Sequence, residues 1–413
     1  MNPTPVDSQT VRRLAITVRG VVQGVGFRPF VYNAAVAHGL SGWVLNDADT
    51  VRIEVEGPAG QLEGFLDLLR RGHPPQAHIA ALDVQQLPCN GRQAEGFVIR
   101  PSTLSASPQP IIPADLATCE QCRAEIRDQS QRRYGYAFTN CTNCGPRWSI
   151  VEQLPYDRAR TTMARFAMCP QCAAEYGDPA DRRFHAEPIA CPVCGPALRL
   201  LDSSGKQDAA GAAALGAAVE SLLAGRILAL KGLGGFQLLV DATRPEAVAR
   251  LRQRKARPDK PFAVMFPSLE EVERRCRVSC AAAAALLSPA APIVLLRRRS
   301  DPAAVQDVAA EVAPGNPYLG VMLPYTPLHH LLMDRLQRPV VCTSGNLSEE
   351  PMAVSTAEAI ERLGPIADVL LTHNRPIARP VDDSVVRPAA SGLQVLRRAR
   401  GYAPLPVTLG EAA

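Results

Sequence analysis

The chain has 413 residues, of which 46% are apolar and 21% charged, with a formal net charge of +5 and a pI of about 8.6. That composition excludes wholesale disorder, and at ~150 residues per domain the length allows about three cores. The mildly basic balance suits anionic substrates such as phosphates and is too weak to argue for nucleic acid by itself.

The N-terminal Met1-Asn2-Pro3-Thr4-Pro5 leads into no apolar segment, so no signal peptide is expected. The most apolar stretch, Ala281–Leu296, is broken by Ser288, Pro289 and Pro292. It is too interrupted for a membrane span, and a cytoplasmic location with no membrane contact is the expectation.

Residues 11–100 alternate strand-like and helix-like patterns. Strands are expected at Leu14–Val18, Ser41–Asn46, Val51–Glu56, Ala80–Gln86 and Gly96–Arg100, with helices at Phe27–Gly39 and Leu62–Arg71. The order is the split βαβ, ferredoxin-like pattern of an α+β domain. Between the first strand and helix runs Arg19-Gly20-Val21-Val22-Gln23-Gly24-Val25-Gly26-Phe27-Arg28. Glycines there let backbone N–H groups turn inward at a helix N-terminus, which makes an anion cradle, and Arg28 can add a bidentate grip on phosphate.

Residues 101–114 are rich in Pro and Ser and are expected to link this domain to the next. In the region 115–197, Cys119-x2-Cys122-x18-Cys141-x2-Cys144 returns 50 residues later as Cys169-x2-Cys172-x18-Cys191-x2-Cys194. Each copy also carries an Arg-Arg-aromatic step, Arg132-Arg133-Tyr134 and Arg182-Arg183-Phe184, and ends in Cys-Gly-Pro. A duplicated four-cysteine module with two structural Zn²⁺ ions is the expectation, since thiolate pairs at this spacing close a tetrahedral shell. Ligands can pair within each copy or interleave, and the spacing allows both. Cys89, Cys276, Cys280 and Cys342 stand apart and read as small hydrophobes.

Residues 205–400 read as a mixed α/β domain. An Ala-rich helix is expected at Ala209–Ala224, further helices at 245–254 and 269–276, and strands at Ile227–Lys231, Phe236–Val240, Ile293–Arg297 and Val340–Thr343. Two polar clusters stand out. Lys255-Ala256-Arg257-Pro258-Asp259-Lys260 gathers cations on a proline-stiffened segment, which suits a triphosphate or carboxylate. Ser344-Gly345-Asn346 sets a hydroxyl and an amide at a strand end. His329 and His330 are expected to pack in a helix rather than bind metal.

The Gln23–Arg28 loop and Gly42-Trp43-Val44-Leu45-Asn46 closely resemble the two acylphosphatase motifs, with Thr50 where that family often has glycine. The resemblance covers roughly residues 11–100. It implies that Gln23, Gly24, Val25, Gly26, Phe27 and Arg28 bind phosphate and that Asn46 positions the attacking water. Residues 205–400 resemble the YrdC-type carbamoyl-adenylate synthase family, which implies that Lys255, Arg257, Lys260, Ser344, Asn346 and Arg397 bind ATP and carbamate, with Mg²⁺ accompanying the ATP. The threonine-rich segment of free-standing members is replaced by Lys231-Gly232-Leu233-Gly234-Gly235-Phe236.

The order acylphosphatase-like, doubled zinc finger, YrdC-like resembles the hydrogenase maturation carbamoyltransferases of the HypF family. Leu323-Pro324-Tyr325-Thr326-Pro327-Leu328-His329-His330 and Pro380-Val381-Asp382-Asp383-Ser384 are similar to that family specifically. The resemblance implies hydrolysis of carbamoyl phosphate to carbamate, then ATP-dependent carbamoyl-adenylate formation. It implies HypE as the partner whose cysteine receives the carbamoyl group, through a C-terminal domain that would begin where this chain stops. The chain is therefore expected not to carbamoylate HypE alone. The alternatives are a threonylcarbamoyl-adenylate synthase-like tRNA modification enzyme and a zinc-dependent RNA-binding protein, with RNA the less favoured partner.

Overall fold

The computed structural model describes residues 10–47, 50–74, 76–89, 96–102, 112–301, 305, 307–347, 350–390 and 392–407. Most of the expected Pro/Ser linker, residues 103–111, lies outside these.

Alternation sets the first sheet. In β1 (Val11–Val21), Leu14, Ile16 and Val18 point inward and pair with Val55, Ile53 and Val51. The chain continues through α1 (Phe27–Ala37), β2 (Ser41–Asp47), β3 (Thr50–Pro58), α2 (Ala59–Arg71), β4 (His78–Leu87) and β5 (Phe97–Ile99). The strand order is β4-β1-β3-β2-β5, antiparallel except for the β2–β5 pair. Val31, Phe65 and Leu69 from the two helices have no exposed surface and close the core against the sheet. This is the expected ferredoxin-like domain.

The two cysteine copies fold alike. α3 (Glu120–Arg127) and α4 (Pro170–Gly177) each start one residue after a cysteine and carry the second cysteine of the pair in the first turn. The residues that cap them, Cys119 and Cys169, share the same extended backbone conformation (φ, ψ of −70°, 162° and −69°, 162°).

The large sheet begins at β6 (Leu198–Asp202), soon after the last zinc-module cysteine, Cys194. β7 (Gln207–Ala210) pairs with it and takes in Ala209 and Ala210, the first residues of the expected helix; α5 (Gly211–Leu223) starts at Gly211, which turns the backbone at φ 57°. Then follow β8 (Leu228–Lys231), β9 (Phe236–Asp241), α6 (Pro245–Arg254), β10 (Ala263–Met265), α7 (Leu269–Glu273) and α8 (Cys280–Leu287). The remainder is β11 (Ile293–Arg297), β12 (Tyr318–Met322), α9 (Pro327–Leu336), β13 (Val340–Ser344), α10 (Thr356–Leu363), β14 (Val369–His373), β15 (Val385–Ala389) and β16 (Gly392–Arg397). The eleven strands run β16-β15-β11-β12-β10-β13-β9-β8-β14-β6-β7 in one mixed sheet.

Two hydrophobic cores flank this sheet. One packs α6, α8 and α10 residues such as Leu251, Leu286 and Leu363. The other joins α5 and α9 with Tyr136, Phe138, Ile150 and Met163 of the zinc module. The module therefore shares a core with the sheet domain instead of dangling from it, and backbone bonds from Ala117 to Pro289 O (2.8 Å) and Thr118 to Tyr325 O (2.9 Å) seal the join. No described helix is long and apolar enough to cross a membrane.

Candidate functional site

Three sites emerge, and the first lies at the end of β1. Gly24 (φ 67°) and Gly26 (φ 75°) take left-handed conformations that bend the chain into the N-terminus of α1. Gln23, expected at the phosphate, turns its side-chain amide to Asp47 O (3.1 Å) and Thr50 O (3.2 Å), so that side chain braces the β2–β3 hairpin. Asn46 is fully buried, and neither side-chain atom has a hydrogen-bond partner among the described residues. A buried amide with nothing to bond is suited to holding a water or a ligand atom.

Arg28, in the first turn of α1, is only 8% exposed. Its guanidinium meets two carboxylates of the zinc module, Asp157 Oδ1 at 3.1 Å and Glu187 Oε1 at 3.0 Å. It also approaches Tyr156 O and Ser102 Oγ, both at 3.4 Å. His185 lines the same small cavity of about 20 Å³, and burial, helped by Arg28, pushes its pKa down to about 4. Asp157, Glu187 and His185 carry no signal in local sequence, because 129 and 159 residues separate Arg28 from its two acidic partners.

The zinc module answers the pairing question. Cys119, Cys122, Cys141 and Cys144 converge on one point, and Cys169, Cys172, Cys191 and Cys194 on another, so each repeat closes on itself. Sulfur separations are 3.5–3.8 Å in the first set and 3.6–3.7 Å in the second. A tetrahedral Zn–S shell with bonds of ~2.3 Å has edges of ~3.8 Å, so both sets fit a structural Zn²⁺ with no ligand position left open. Arginines cross between the repeats. Arg132 Nη2 donates to Cys172 Sγ (3.4 Å), and Arg182 Nη1 to Cys122 Sγ (3.0 Å). Arg133 pairs with Glu175 across the interface (2.5 Å), and Arg183 pairs with Glu125. Among the described residues these are the only metal-sized groups. His329 and His330 are instead buried in α9, and His329 Nε2 lies 3.0 Å from Gln237 Oε1.

The third site is a cavity of about 720 Å³ at the ends of β10, β12 and β13. Lys255, Arg257, Lys260, Ser344, Asn346 and Arg397 all line it, so the two polar clusters and the distant arginine meet in space. Lys255 Nζ donates to Ser344 O (2.7 Å) and to Asn346 Oδ1 (2.9 Å). Burial first, then neighbouring Arg257, pulls its pKa down to about 8. The Arg257 guanidinium stacks 5.0 Å from the Phe262 ring centroid and is fixed by Pro261 O at 2.6 Å. Asp382 and Asp383, assigned no site role above, also face the cavity; Asp382 pairs with Arg397 at 2.6 Å. Asp383 is held from behind by Arg400 (2.8 Å), which stacks 3.5 Å from the Tyr325 ring centroid.

Comparisons with known proteins follow this division. A family model described as acylphosphatase matches residues 14–99, the HypF finger matches 118–151 and 168–201, and the Sua5/YciO/YrdC model, described as telomere recombination, matches 220–399. The chain is 54% identical over 397 residues to carbamoyltransferase HypF of Rhodobacter capsulatus, covering 96% of this chain and 51% of that protein. It is 51% identical over 399 residues to the Synechocystis carbamoyltransferase HypF, covering 97% and 51%. A crystal structure of full-length HypF in a phosphate- and nucleotide-bound form superposes with a TM-score of 0.92 at 43% identity, covering 97% of this chain and 51% of that one. The chain thus spans about half the length of the HypF relatives it matches.

Proposed function

We infer that this chain belongs to the HypF family of carbamoyltransferases, and from that premise that it carries two linked activities, carbamoyl phosphate hydrolysis and carbamoyl-adenylate synthesis. In the first, water adds to phosphorus, the bond from phosphorus to the acyl oxygen breaks, and carbamate leaves with inorganic phosphate as the second product. Arg28 and the N–H groups of the Gln23–Phe27 loop hold the phosphoryl oxygens, and the unpartnered Asn46 amide orients the water. An acyl phosphate is already activated, so positioning and charge neutralisation suffice.

In the second, a carbamate oxygen attacks the α-phosphorus of ATP and pyrophosphate leaves. Lys255, Arg257, Lys260 and Arg397 offset the triphosphate charge, and Ser344 and Asn346 orient the acceptor. A Mg²⁺ bound with the nucleotide would screen further phosphate charge, with Asp382 and Asp383 as hard oxygen donors in the same cavity. The observation that carries this reading is the convergence of six separately noted polar residues on one 720 Å³ cavity, a volume suited to a nucleotide. The phosphate and nucleotide held by the HypF relative of known structure support both halves. We assign the carbamoyl group's destination to a HypE cysteine in hydrogenase maturation, in the cytoplasm.

The test is pyrophosphate release from ATP-Mg²⁺ with and without carbamoyl phosphate, in the wild type and in Arg28→Ala. Release that depends on carbamoyl phosphate and vanishes in the variant supports the relay. Phosphate release with ATP untouched would sink the second activity, and dependence on added threonine would redirect it to threonylcarbamoyl chemistry.

A further inference from the structure

The acid pair that grips Arg28 belongs to another domain, and one member of it, Glu187, is fixed in place by further bonds. Glu187 is 2% exposed. Its Oε2 accepts from Arg158 N (2.8 Å) and Tyr176 Oη (3.0 Å), which leaves Oε1 turned to Arg28. Asp157 presents Oδ1 to the other arm of the same guanidinium. Burial pushes the Glu187 carboxyl up, and Arg28 counteracts it. A merely structural ion pair would not need the one arginine that the phosphate loop supplies. The cavity alongside, about 20 Å³, admits about one water. An acyl phosphate can reach Arg28 only by parting it from these carboxylates, and the buried Glu187 Oε1 then needs a new donor, because an orphaned buried carboxylate oxygen is costly, whereas Asp157, its side chain 28% exposed, can turn partly to water.

We propose that Glu187, assisted by Asp157, determines specificity for the carbamoyl group by accepting the N–H bonds of its amide once the phosphoryl group has taken Arg28. Carbamoyl phosphate carries an anion at one end and a two-proton donor at the other. Inserted into the opened ion pair, it satisfies Arg28 with phosphoryl oxygens and the carboxylates with its NH₂. Acetyl phosphate has the same phosphoryl end, but it sets a methyl group against Glu187 and leaves the buried Oε1 without a donor. Sites built to bond a polar group discriminate strongly against analogues that lack it. The zinc module thereby becomes one wall of the hydrolytic site. This inference rests on the carbamoyl phosphate reading above.

The experiment measures kcat/KM for hydrolysis of carbamoyl phosphate and of acetyl phosphate by the zinc-loaded full chain, as wild type, Glu187→Ala, Glu187→Gln and Asp157→Asn, with zinc content checked for each. The expected result is a preference for carbamoyl phosphate that falls about tenfold or more in Glu187→Ala, with acetyl phosphate turnover kept or raised. Glu187→Gln, whose amide oxygen still accepts one N–H, falls less. A ratio unchanged from wild type, with both rates rising or falling together, overturns the proposal and leaves the carboxylates as a latch or a brace. Should Glu187→Ala lose zinc, the ratios of Glu187→Gln and Asp157→Asn decide alone: unchanged in both, the proposal fails. A wild type that hydrolyses neither acyl phosphate, or an Arg28→Ala variant that hydrolyses both normally, would instead sink the underlying reading.

Discussion

Arg147 Nε donates to Gly24 O at 2.9 Å, so a residue just past the second cysteine pair of the first zinc set, Cys141 and Cys144, holds the phosphate loop from behind. The same guanidinium donates to Thr142 O (2.7 Å) and to Cys144 O within that segment, and the residue is 1% exposed. Metal shell and anion cradle therefore hang on one side chain.

Arg147→Met keeps a long unbranched side chain and removes every side-chain donor, while the backbone N–H bond to Asp115 Oδ1 stays. Stranded buried carbonyls next to a lost charge cost about 3 kcal/mol or more. The expected outcome is a lower denaturant midpoint, a raised KM for acyl phosphate, and faster chelator extraction of the first zinc. A loop whose KM does not move would mean that the cradle stands without this support.

Gly24→Ala meets both strain and crowding. A β-carbon there would lie 2.7 Å from Pro113 Cγ and 3.1 Å from Tyr156 Cδ1, on a backbone at φ 67°. The left-handed penalty alone is roughly 1–2 kcal/mol. Acyl phosphate kcat/KM should fall by about tenfold or more, while pyrophosphate formation from ATP and externally supplied carbamate stays near the wild-type rate.

Lys255 predicts a pH dependence. Its pKa of about 8 lies below the ordinary lysine value of 10.5, chiefly through burial. Between these values the folded chain holds fewer protons than the unfolded one, so unfolding free energy contributed by this group rises with pH across that window. Nucleotide affinity runs the other way, because the triphosphate favours the charged lysine. KM for ATP should rise about fivefold from pH 8 to pH 9, and in Lys255→Met it should be high at both. A wild-type profile as flat as the variant's would remove Lys255 from the phosphate contacts.

The two metal sites should respond to each other's neighbours. Arg182→Met deletes the N–H···S bond to Cys122 while leaving the second set of cysteines intact. Loss of an outer-shell partner typically weakens metal affinity by 10–100-fold. Competition with a chromogenic chelator should show the first site weakened by about that factor and the second nearly unchanged. Loss confined to the second site would contradict the crossed geometry.

Much of this was legible in the chain. Cysteine spacing marked both metal sets, since a Cys-x2-Cys turn is a local structure. Gly24, Gly26 and Arg28 read as an anion loop for the same reason, and Lys255 and Arg257 as a cation pair. The partners of Arg28 were not legible. Asp157 and Glu187 approach it only because the zinc module shares a core with the sheet domain and turns one side to the first domain. The bracing role of the Gln23 side chain was not legible either, because the hairpin carbonyls that capture it lie more than 20 residues on. At Ala209 and Ala210, alanine content favoured helix, and pairing with β6 overrode it.

The exchange of arginines between the two cysteine repeats also bears on their history. A duplicated segment whose copies are self-sufficient can shed one copy without harm. Here Arg132 and Arg133 serve the second copy, while Arg182 and Arg183 serve the first. Deleting either half would strand charges in the other, so the doubling, once cross-wired, works as a ratchet that descendants cannot readily reverse.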